Sequence, residues 1–542
     1  MPHGTLMPDG DENARAMGSS VRRVLLQLMF DEDTAGREEP VLDSREIQGN
    51  VLAGFNKDYQ AFLFLRIVDV AAARAWIGRF ARQVATLDEV IAFNRLYKIM
   101  RARRGKHSGA LQAFWQNIAF SYSGLTRLAP DAHRFSDLAF KQGMHARATL
   151  LGDPPDSTDA WTIGSPETMP DVLVILAADS AEVLETRRRD VESSLAPGLQ
   201  LFRTEHGKVL PDEGHEHFGF RDGISQPGVR GRVSTLPFDY LTPRENPVDR
   251  NEGKPGQTLL WPGEFVFGYP RQSADDIASP GPIAEGGPPW SKNGSFLVFR
   301  RYVQHVDRFR EFLETTATAL MRRGAQMRPE TLGAKLMGRW KSGTPIVRAP
   351  AYDVPEIAAS SCTDNHFRYA ASSALIPQST PSFCADQAFT PALADPEGMR
   401  CPHAAHIRKV NPRDTRLGSR SAETHTHRLI RRGIPFGTSR PGEEDGLLFV
   451  AYQTSFERQF EFVMSHWVNH PDFSHPGAGY DPIIGRTGSG AEMPRTFLLP
   501  LTRSDGTTVL ATVNVPEIAS PTGGAYFFAP SRSALEFFAR GE

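Results

Sequence analysis

The first half of the chain alternates short extended runs with amphipathic helical patterns in a fixed order. Runs rich in β-branched and aromatic residues predict four strands, at 61–68, 117–122, 171–176 and 200–204. Apolar residues at three- and four-residue steps predict helices over 70–85 and 181–195, and Ser180 is a suitable cap for the second. The order strand, helix, strand, strand, helix, strand is that of a split βαβ, ferredoxin-like unit.

The second half of the chain shows a similar succession. Extended runs predict strands at 264–269, 295–302, 446–453 and 525–530, and helical patterns cover 306–322 and 456–467. Stretches 226–263, 270–293 and 340–400 predict long loops, which in compact domains usually carry function or wrap a ligand. No sequence repeat of fixed period accompanies the succession, so any duplication is architectural.

The length of 542 residues allows two or three domains, or one body with two cores. Residues 1–41 are polar and predict an N-terminal extension, and the pattern becomes globular from residue 42. We expect an α+β fold with antiparallel sheets, divided into an N-terminal ferredoxin-like domain at 42–215 and a C-terminal one at 216–542.

Charge and cysteine content exclude several classes of protein. Lys and Arg number 61 against 63 Asp and Glu, a net charge of −2, so there is no global positive field and we expect no nucleic-acid partner. Three cysteines, Cys362, Cys384 and Cys401, cannot all pair within one chain, and none lies in a CxxC motif. A disulfide framework or a structural zinc site is therefore not expected.

The N-terminus bears on localisation. Arg22-Arg23 followed by an apolar run at 24–30 is faintly similar to a twin-arginine export signal, but acidic residues at 31–33 occupy the place of a cleavage site. No stretch reaches the roughly 20 apolar residues that a transmembrane helix needs. We expect a cytoplasmic protein without a membrane partner, and export is the less favoured alternative.

One glycine-bracketed segment presents a single carboxylate. It reads Gly219-Phe220-Arg221-Asp222-Gly223. Glycine adopts backbone angles that other residues resist, so the segment predicts a tight loop that exposes Asp222. On its own this pattern is more often a simple turn than a site.

A second segment, at 401–413, places two histidines beside three cationic residues. His403 and His406 lie three residues apart, and a neutral histidine ring is a good axial ligand for haem iron. From the residues alone, a basic surface segment with incidental histidines remains open. So does a site in which Cys401 binds haem iron as a thiolate.

A third segment, at 428–437, leads from an apolar step into paired arginines, Arg431 and Arg432. An arginine stays charged and offers a planar fork of donors, although a loop arginine is often only part of a surface ion pair. His215 and His217 would share one face of an extended segment and could bind a metal, but no third ligand is evident.

Taken together, the three segments resemble the dye-decolorizing peroxidases. The stretch 219–223 is similar to the GxxDG motif of that family, 404–413 to the segment with the proximal histidine, and 431–437 to the segment with the distal arginine. Weaker similarity lies at 46–52, 262–265, 338–340 and 526–528. The resemblance covers about residues 42–530, in the expected order, and it implies two ferredoxin-like halves with haem in the C-terminal half.

The resemblance implies a role for each motif and one haem b per chain. His406, which precedes the x-Arg-Lys run, would be the iron ligand, and Asp222 and Arg431 would be the catalytic pair on the distal side. Gly223 and Arg413 would also contact the cofactor.

Two positions qualify this assignment. Arg432 is the fallback for Arg431, and His403 falls where relatives often carry an apolar residue.

The implied activity is oxidation of bulky organic donors, such as dyes and phenolics, by hydrogen peroxide. It proceeds in one-electron steps through a high-valent iron state. The sequence does not identify the carboxylate expected to accept a hydrogen bond from His406. Because bulky donors do not reach a buried haem, Tyr452, Trp340 and Trp467 are candidate electron relays, although each is more readily explained as a core aromatic.

Other functions remain open at this point. One alternative is a haem-binding or iron-handling protein with incidental peroxidase activity, and another is a non-haem metal protein that uses His215 and His217. Packaging inside a protein shell is not expected, because residues 537–542 lack an obvious hydrophobic docking tail. The oligomeric state and the physiological electron donor are not predicted.

Overall fold

The structure is a computed structural model. It describes residues 39–104, 112–212, 214–246, 249–370, 394–415, 420, 422–438, 440, 442–487, 495–503 and 505–541. Nearly all of the predicted extension at 1–41, and Cys384, lie outside these residues. Cys362 is disulfide-bonded and Cys401 is a free, buried thiol, which limits the chain to one disulfide.

Fifteen strands are described, and most belong to one sheet. They are β1 Tyr59–Ile67, β2 Phe114–Phe120, β3 Val172–Ala178, β4 Leu199–Lys208, β5 Gly228–Val229, β6 Leu259–Leu260, β7 Pro270–Gln272, β8 Pro280–Ile283, β9 Ser295–Gln304, β10 Ile430–Arg431, β11 Ile434–Phe436, β12 Gly446–Gln453, β13 Arg495–Thr502, β14 Thr508–Val515 and β15 Ala519–Ala529.

The first described helix precedes β1, and the others lie between strands or follow the last strand. They are α1 Gly49–Leu52, α2 Val70–Ala81, α3 Leu87–Arg104, α4 Tyr122–Leu128, α5 Leu138–Ala146, α6 Pro155–Thr158, α7 Ala181–Ser194, α8 Val306–Arg322, α9 Pro329–Met337, α10 Pro355–Ala359, α11 His406–Val410 and α12 Arg532–Arg540. Two π-helical segments, Phe456–Phe460 and Val463–Val468, form the predicted helix at 456–467.

Each half of the chain builds a four-stranded antiparallel unit of the ferredoxin-like order. In the first half the order is β2-β3-β1-β4, and in the second it is β10-β12-β9-β15, with β11 also paired to β12. Phe528 of β15 pairs with Phe120 of β2, which joins the two units into one nine-stranded sheet. The predicted fold class is therefore confirmed.

The sheet curves until its outer strands meet. Gly207 of β4 lies so close to Ile434 of β11 that a Cβ at Gly207 would come within 2.2 Å of the Ile434 side chain. Strands of a sheet twist with a fixed hand, and a sheet of this size tends to curl on itself. The joined halves thus approach a closed barrel.

Both faces of the sheet are buried, which explains why its strands are apolar almost throughout. Along β1, Leu63 and Leu65 pack under the helices, whereas Phe62 and Phe64 point into the interior. There the ring of Phe299 lies 5.7 Å from that of Phe62 and 5.0 Å from that of Phe64. Strands buried on both faces lose the alternation of polar and apolar residues that marks a half-exposed strand.

The predicted strand at 264–269 is wrong. Pro262–Glu264 form a 3-10 turn, and the amide groups of Phe265 and Val266 both donate to the carbonyl of Pro262. Gly268 then takes a φ of +89°, which ends any extended run before β7. The apolar side chains here are buried in loops against the sheet, so the apolar run reflected burial and not strand pairing.

Candidate functional site

A cavity of about 1670 Å³, part of it open to solvent, lies in the C-terminal half. The loop around Asp222, helix α11 and the π-helical segments border it, and apolar side chains cover much of its wall: Leu447, Phe449, Phe460, Val463, Met464 and Ile483. A cavity with such walls suits a ligand that is apolar over much of its surface.

The segment around Asp222 forms a tight loop. Gly219 and Gly223 have φ values of +86° and +77°, in the left-handed region that favours glycine. The amide of Asp222 donates to the Gly214 carbonyl at 2.7 Å, and the amide of Gly223 donates to Asp222 Oδ1 at 2.6 Å. The loop therefore aims the Asp222 carboxylate into the cavity that it lines.

Arg431 lines the same cavity, and strand alternation separates it from Arg432. Its backbone is fixed by Gln226, whose side chain accepts from the Arg431 amide at 3.2 Å and donates to the Arg431 carbonyl at 3.0 Å. Arg432 faces away and donates to the carbonyls of Asn50 and Leu52 at 2.9 and 2.7 Å, at the end of α1. Successive residues of a strand point to opposite faces, so only Arg431 reaches the cavity.

Asp222 and Arg431 form a pair within the cavity. Arg431 Nη1 donates to Asp222 Oδ1 at 3.2 Å, and the two side chains are 32% and 44% exposed respectively. Burial acts to raise the pKa of Asp222, but the Arg431 charge, the Gly223 amide and the His406 charge outweigh it, and the pKa lies below the ordinary value. Asp222 is therefore an ionised carboxylate that small molecules in the cavity can reach.

His406 enters the cavity from α11 and is held by a buried carboxylate. Its Nδ1 lies 2.8 Å from Asp481 Oδ2, and Asp481 Oδ1 accepts the amides of Ile483 and Ile484 at 2.8 and 3.0 Å. Asp481 is 0% exposed. Burial opposes both charges, yet the mutual attraction raises the pKa of His406 and lowers that of Asp481. With Nδ1 engaged, Nε2 is the ring nitrogen left for a metal.

The neighbours of His406 in sequence take other places. His403 Nδ1 lies 3.4 Å from Ser474 Oγ, and its ring stacks on His475 with the centroids 4.7 Å apart. Cys401 is fully buried with its Sγ 4.0 Å from the Tyr369 hydroxyl, and burial raises its pKa to about 11. Neither side chain lines the cavity, so an iron ligand within 401–413 is left to His406.

Arginines beyond Arg431 also line the cavity, and among them Arg339, Arg413 and Arg428 form no ion pair with another described residue. Arg339 donates to the Gly343 carbonyl at 2.8 Å, Arg413 donates to the Phe367 carbonyl at 3.0 Å, and Arg428 forms no side-chain hydrogen bond there. Burial lowers the pKa of Arg339 to about 10 and that of Arg428 to about 9. Buried cations without carboxylates favour an anionic ligand.

These features fit haem. The cavity offers one free imidazole nitrogen for iron, apolar walls for the porphyrin ring and arginines for the two carboxylates of haem. At Gly223 there is open space on the cavity side, because a Cβ there would meet no atom within 4 Å. Haem iron is commonly held by a single proximal histidine.

The alternative metal pair is not assembled. His215 Nε2 contacts the Lys341 carbonyl at 3.1 Å, whereas His217 Nε2 contacts the Phe436 carbonyl at 2.8 Å. Among the described residues no group of three or more His, Cys, Asp or Glu side chains could hold a metal ion. The two histidines instead hold loop 214–223 against neighbouring backbone.

The candidate relay aromatics are all buried, at 5% exposure for Trp340 and 1% for Tyr452 and Trp467. The Trp467 ring contacts a ring of the cavity wall, since its centroid lies 5.3 Å from that of His427 in an edge-on arrangement. The relay roles stay predictions.

Sequence reasoning missed several residues that line the cavity or support its wall. Asp481 follows His406 by 75 positions and carries no motif that would link the two. Arg428 begins the segment at 428–437 without being given a role there, and Glu216 lies between His215 and His217. Arg339 falls in one of the weaker similarities. None of the described helices has the length and apolar character needed to cross a bilayer.

Family models match both halves of the chain. The model for the DyP dimeric alpha+beta barrel domain matches residues 46–211, and that for the C-terminal part of Dyp-type peroxidases matches 269–475. The barrel description agrees with the curved sheet, and the second match contains most of the cavity-lining residues.

Individual relatives cover nearly the whole chain. Dye-decolorizing peroxidase msp1 of Mycetinis scorodonius is 31% identical over 91% of this chain and 87% of its own. An ancestral D-type dye-decolorizing peroxidase superposes with a TM-score of 0.71 at 32% identity, over 92% of this chain and 99% of its own. A dye-decolorizing peroxidase in complex with 2,6-dimethoxyphenol gives 0.69 at 28% identity, over 92% and 100%. This chain therefore belongs to the dye-decolorizing peroxidases, a haem-dependent family.

Proposed function

We propose that this peroxidase binds one haem b per chain on His406 and uses Asp222 and Arg431 to activate hydrogen peroxide. The observation that carries the proposal is the 3.2 Å contact of Asp222 with Arg431 in a cavity that also receives His406. A proton carrier, a fixed cation and an imidazole with one free nitrogen are the groups that this reaction requires. We also propose 215/216 as the boundary between the domains.

His406 would hold the iron through Nε2, with Asp481 fixing the ring through Nδ1. The donated hydrogen bond raises the basicity of a metal-bound histidine and sets its orientation. Arg339, Arg413 and Arg428 would hold the two propionates, and the Gly223 backbone would allow close approach of the porphyrin. When bound, haem supplies the iron that cleaves the O–O bond and stores the two oxidising equivalents.

Asp222 would move the proton. As an ionised carboxylate it could take a proton from one oxygen of hydrogen peroxide and deliver it to the other oxygen, which leaves as water. A positioned group of this kind contributes about 10²–10⁴-fold to rate. The low pKa of Asp222 favours the ionised state that accepts the proton.

Arg431 would stabilise negative charge on the departing oxygen while it orients Asp222. A fixed donor aimed at developing charge contributes roughly 10²–10³-fold. Gln226 and the Ser225 carbonyl restrain the arginine, which lowers the cost of reorganisation during the reaction.

Dyes and phenolics are the proposed donors of electrons. The names of the relatives support dyes, and the complex of one relative with 2,6-dimethoxyphenol supports small phenols. Each donor would give one electron at a time.

The proposal is tested by stopped-flow reaction of the haem-loaded protein with hydrogen peroxide, followed at the Soret band. We expect Asp222→Asn to bind haem normally and to react about 10²–10⁴-fold more slowly. Dye oxidation at steady state should fall in parallel. An Asp222→Asn variant that reacts at the wild-type rate would overturn the assignment.

A further inference from the structure

Glu216 is a second carboxyl group in the wall of the cavity, six residues before Asp222. Its Oε2 accepts the amide of Phe218 at 3.0 Å and its Oε1 accepts the amide of Phe220 at 2.9 Å. Its backbone closes the same turn, because the Glu216 carbonyl accepts the amide of Gly219 at 2.8 Å and its amide donates to the Phe220 carbonyl at 3.1 Å. Four hydrogen bonds thus fold the loop onto one residue.

The Glu216 side chain also ties this loop to the sheet. Gln304, the last residue of β9, donates from its side chain to Glu216 Oε2 and from its backbone to the Asp445 carbonyl at 2.8 Å. Strand β9 pairs with β12, which in turn pairs with β10, the strand of Arg431. Glu216 therefore connects the loop that bears Asp222 with the sheet that bears Arg431.

Glu216 differs from Asp222 in its electrostatic surroundings. It is 9% exposed and forms no ion pair with any described residue. Its pKa is raised above the ordinary value, and burial is the main cause. Its hydrogen bonds come from amides, which fix its geometry. Other titratable groups that line the cavity are Arg221, Tyr302, Arg339, His406, Arg413, His427, Arg428 and Arg431.

We propose that Glu216 is a positioning residue of the peroxide site: its carboxyl group fixes the loop against β9 and so holds Asp222 beside Arg431. The inference rests on the proposed function of Asp222 and Arg431. Glu216 acts through Asp222 and itself takes no proton from peroxide.

The test uses the haem-loaded Glu216→Gln variant. Glutamine keeps the size of the side chain but cannot accept from both loop amides, since one of its terminal atoms is a donor. A displacement of about 1 Å can cost on the order of 10²-fold in rate, so we expect peroxide to react about 10- to 100-fold more slowly. Asp222 also loses its contact with Arg431, so the acid limb of the pH profile should move to higher pH.

A readout independent of turnover is the pH dependence of cyanide binding to the ferric protein, measured by the Soret shift. It should show the same movement to higher pH. An acid limb that stays in place would indicate a merely structural residue. A limb that moves to lower pH would indicate that Glu216 acts on Asp222 only through its negative charge, and either result overturns the proposal.

Two further variants serve as an independent check and a control. Gln304→Leu cuts the link to the sheet from the other side and should shift the profile in the same direction by less; if Glu216→Gln does not fold, this variant decides. Glu205→Gln is the matched control, a buried carboxylate of β4 paired with Arg203 and Arg301 outside the cavity, and it should leave the profile unchanged.

The Asp222→Asn variant distinguishes failure of the proposed function from failure of the positioning role of Glu216. If Asp222→Asn reacts normally with peroxide, the proposed function fails. If it loses the reaction while Glu216→Gln and Gln304→Leu keep the wild-type profile, only the positioning role fails.

Discussion

Two pairs of ionisable side chains at the cavity, Asp222 with Arg431 and His406 with Asp481, are held in different ways. Asp222 and Arg431 contact each other at 3.2 Å with 44% and 32% of their side chains exposed. His406 and Asp481 contact each other at 2.8 Å with 19% and 0% exposed, and two backbone amides fix Asp481 from behind. One pair faces the space where small molecules enter, and the other is anchored in the protein.

This difference follows the chemistry assigned to each pair. A proton carrier has to exchange protons with a substrate, so its carboxylate must be reachable. An iron ligand has to keep its distance and tautomer through every cycle, so a buried carboxylate that accepts its second ring N–H is suited to hold it. The comparison predicts that changes at His406 affect cofactor binding and changes at Arg431 affect the peroxide step.

The largest effect is expected for His406→Ala. Loss of the ligand should weaken haem binding by more than the roughly 100-fold upper range found for loss of a second-sphere partner, and the Soret spectrum should change. Titration of the apoprotein with haem measures the affinity, and added imidazole should restore part of the spectrum. A mutant that retains the wild-type ferric spectrum would contradict the assignment of His406 as the anchored iron ligand.

Arg431→Leu should slow the reaction with peroxide by about 10²–10³-fold while haem affinity changes little. Arg432→Leu is the matched control, because Arg432 donates to the carbonyls that end α1 and lies outside the cavity. It should reduce the free energy of unfolding by about 1–3 kcal/mol, since buried carbonyls lose their donor, and leave the peroxide rate unchanged. Stopped-flow kinetics and thermal melts distinguish the two; equal rate losses would contradict the separation.

Asp481→Asn should cost about 10–100-fold in haem affinity or activity. The asparagine amide is neutral, so the negative charge beside the His406 ring is lost and the ferric–ferrous reduction potential should rise. Spectroelectrochemistry measures that potential. A rate loss with an unchanged potential would show that Asp481 only supports the packing around α11.

The smallest expected effect is a shift in the acidic pH at which the reaction with peroxide is lost. The pKa of Asp222 lies below its ordinary value of 3.8, so the ionised base persists as the pH falls and is lost only when the pH passes through the lowered pKa. In Arg431→Leu the largest stabilising charge is gone, the pKa of Asp222 rises, and the remaining activity should disappear at a higher pH than in the wild type. The pH dependence of the peroxide rate in both proteins tests the sign of this shift.

Elements with strong local patterns were predicted closely. The helix at 306–322 and the strand at 446–453 have exactly those bounds, because their apolar spacing is regular and their flanking residues break the pattern. The strand at 264–269 failed because an apolar run cannot distinguish a paired strand from a buried loop. The hairpin β13–β14 and helices α3 and α12 went unrecognised, although the amphipathic residues of α12 are a signal that could have located it.

The motifs located Asp222, His406 and Arg431 because each sits in a short segment whose neighbours are distinctive. The choice of Arg431 over Arg432 relied on resemblance; in the structure Arg431 lines the cavity, whereas Arg432, the residue after β10, donates to carbonyls of α1. Asp481 and Glu216 had no comparable signal. Their importance depends on contacts with His406 and Gln304, which lie 75 and 88 positions away in the sequence.

By itself the sequence determined the order of most strands of the main sheet, the tight loop at Asp222 and the segments that supply imidazole and guanidinium groups. These follow from local backbone preferences and side-chain chemistry. Only the tertiary structure decided which carboxylate holds His406, which arginines face the cavity without an ion pair to another described residue, and how the Asp222 loop is tied to the sheet. Those outcomes depend on contacts between residues far apart in the chain, and contact energies of that kind leave no periodic trace in the order of amino acids.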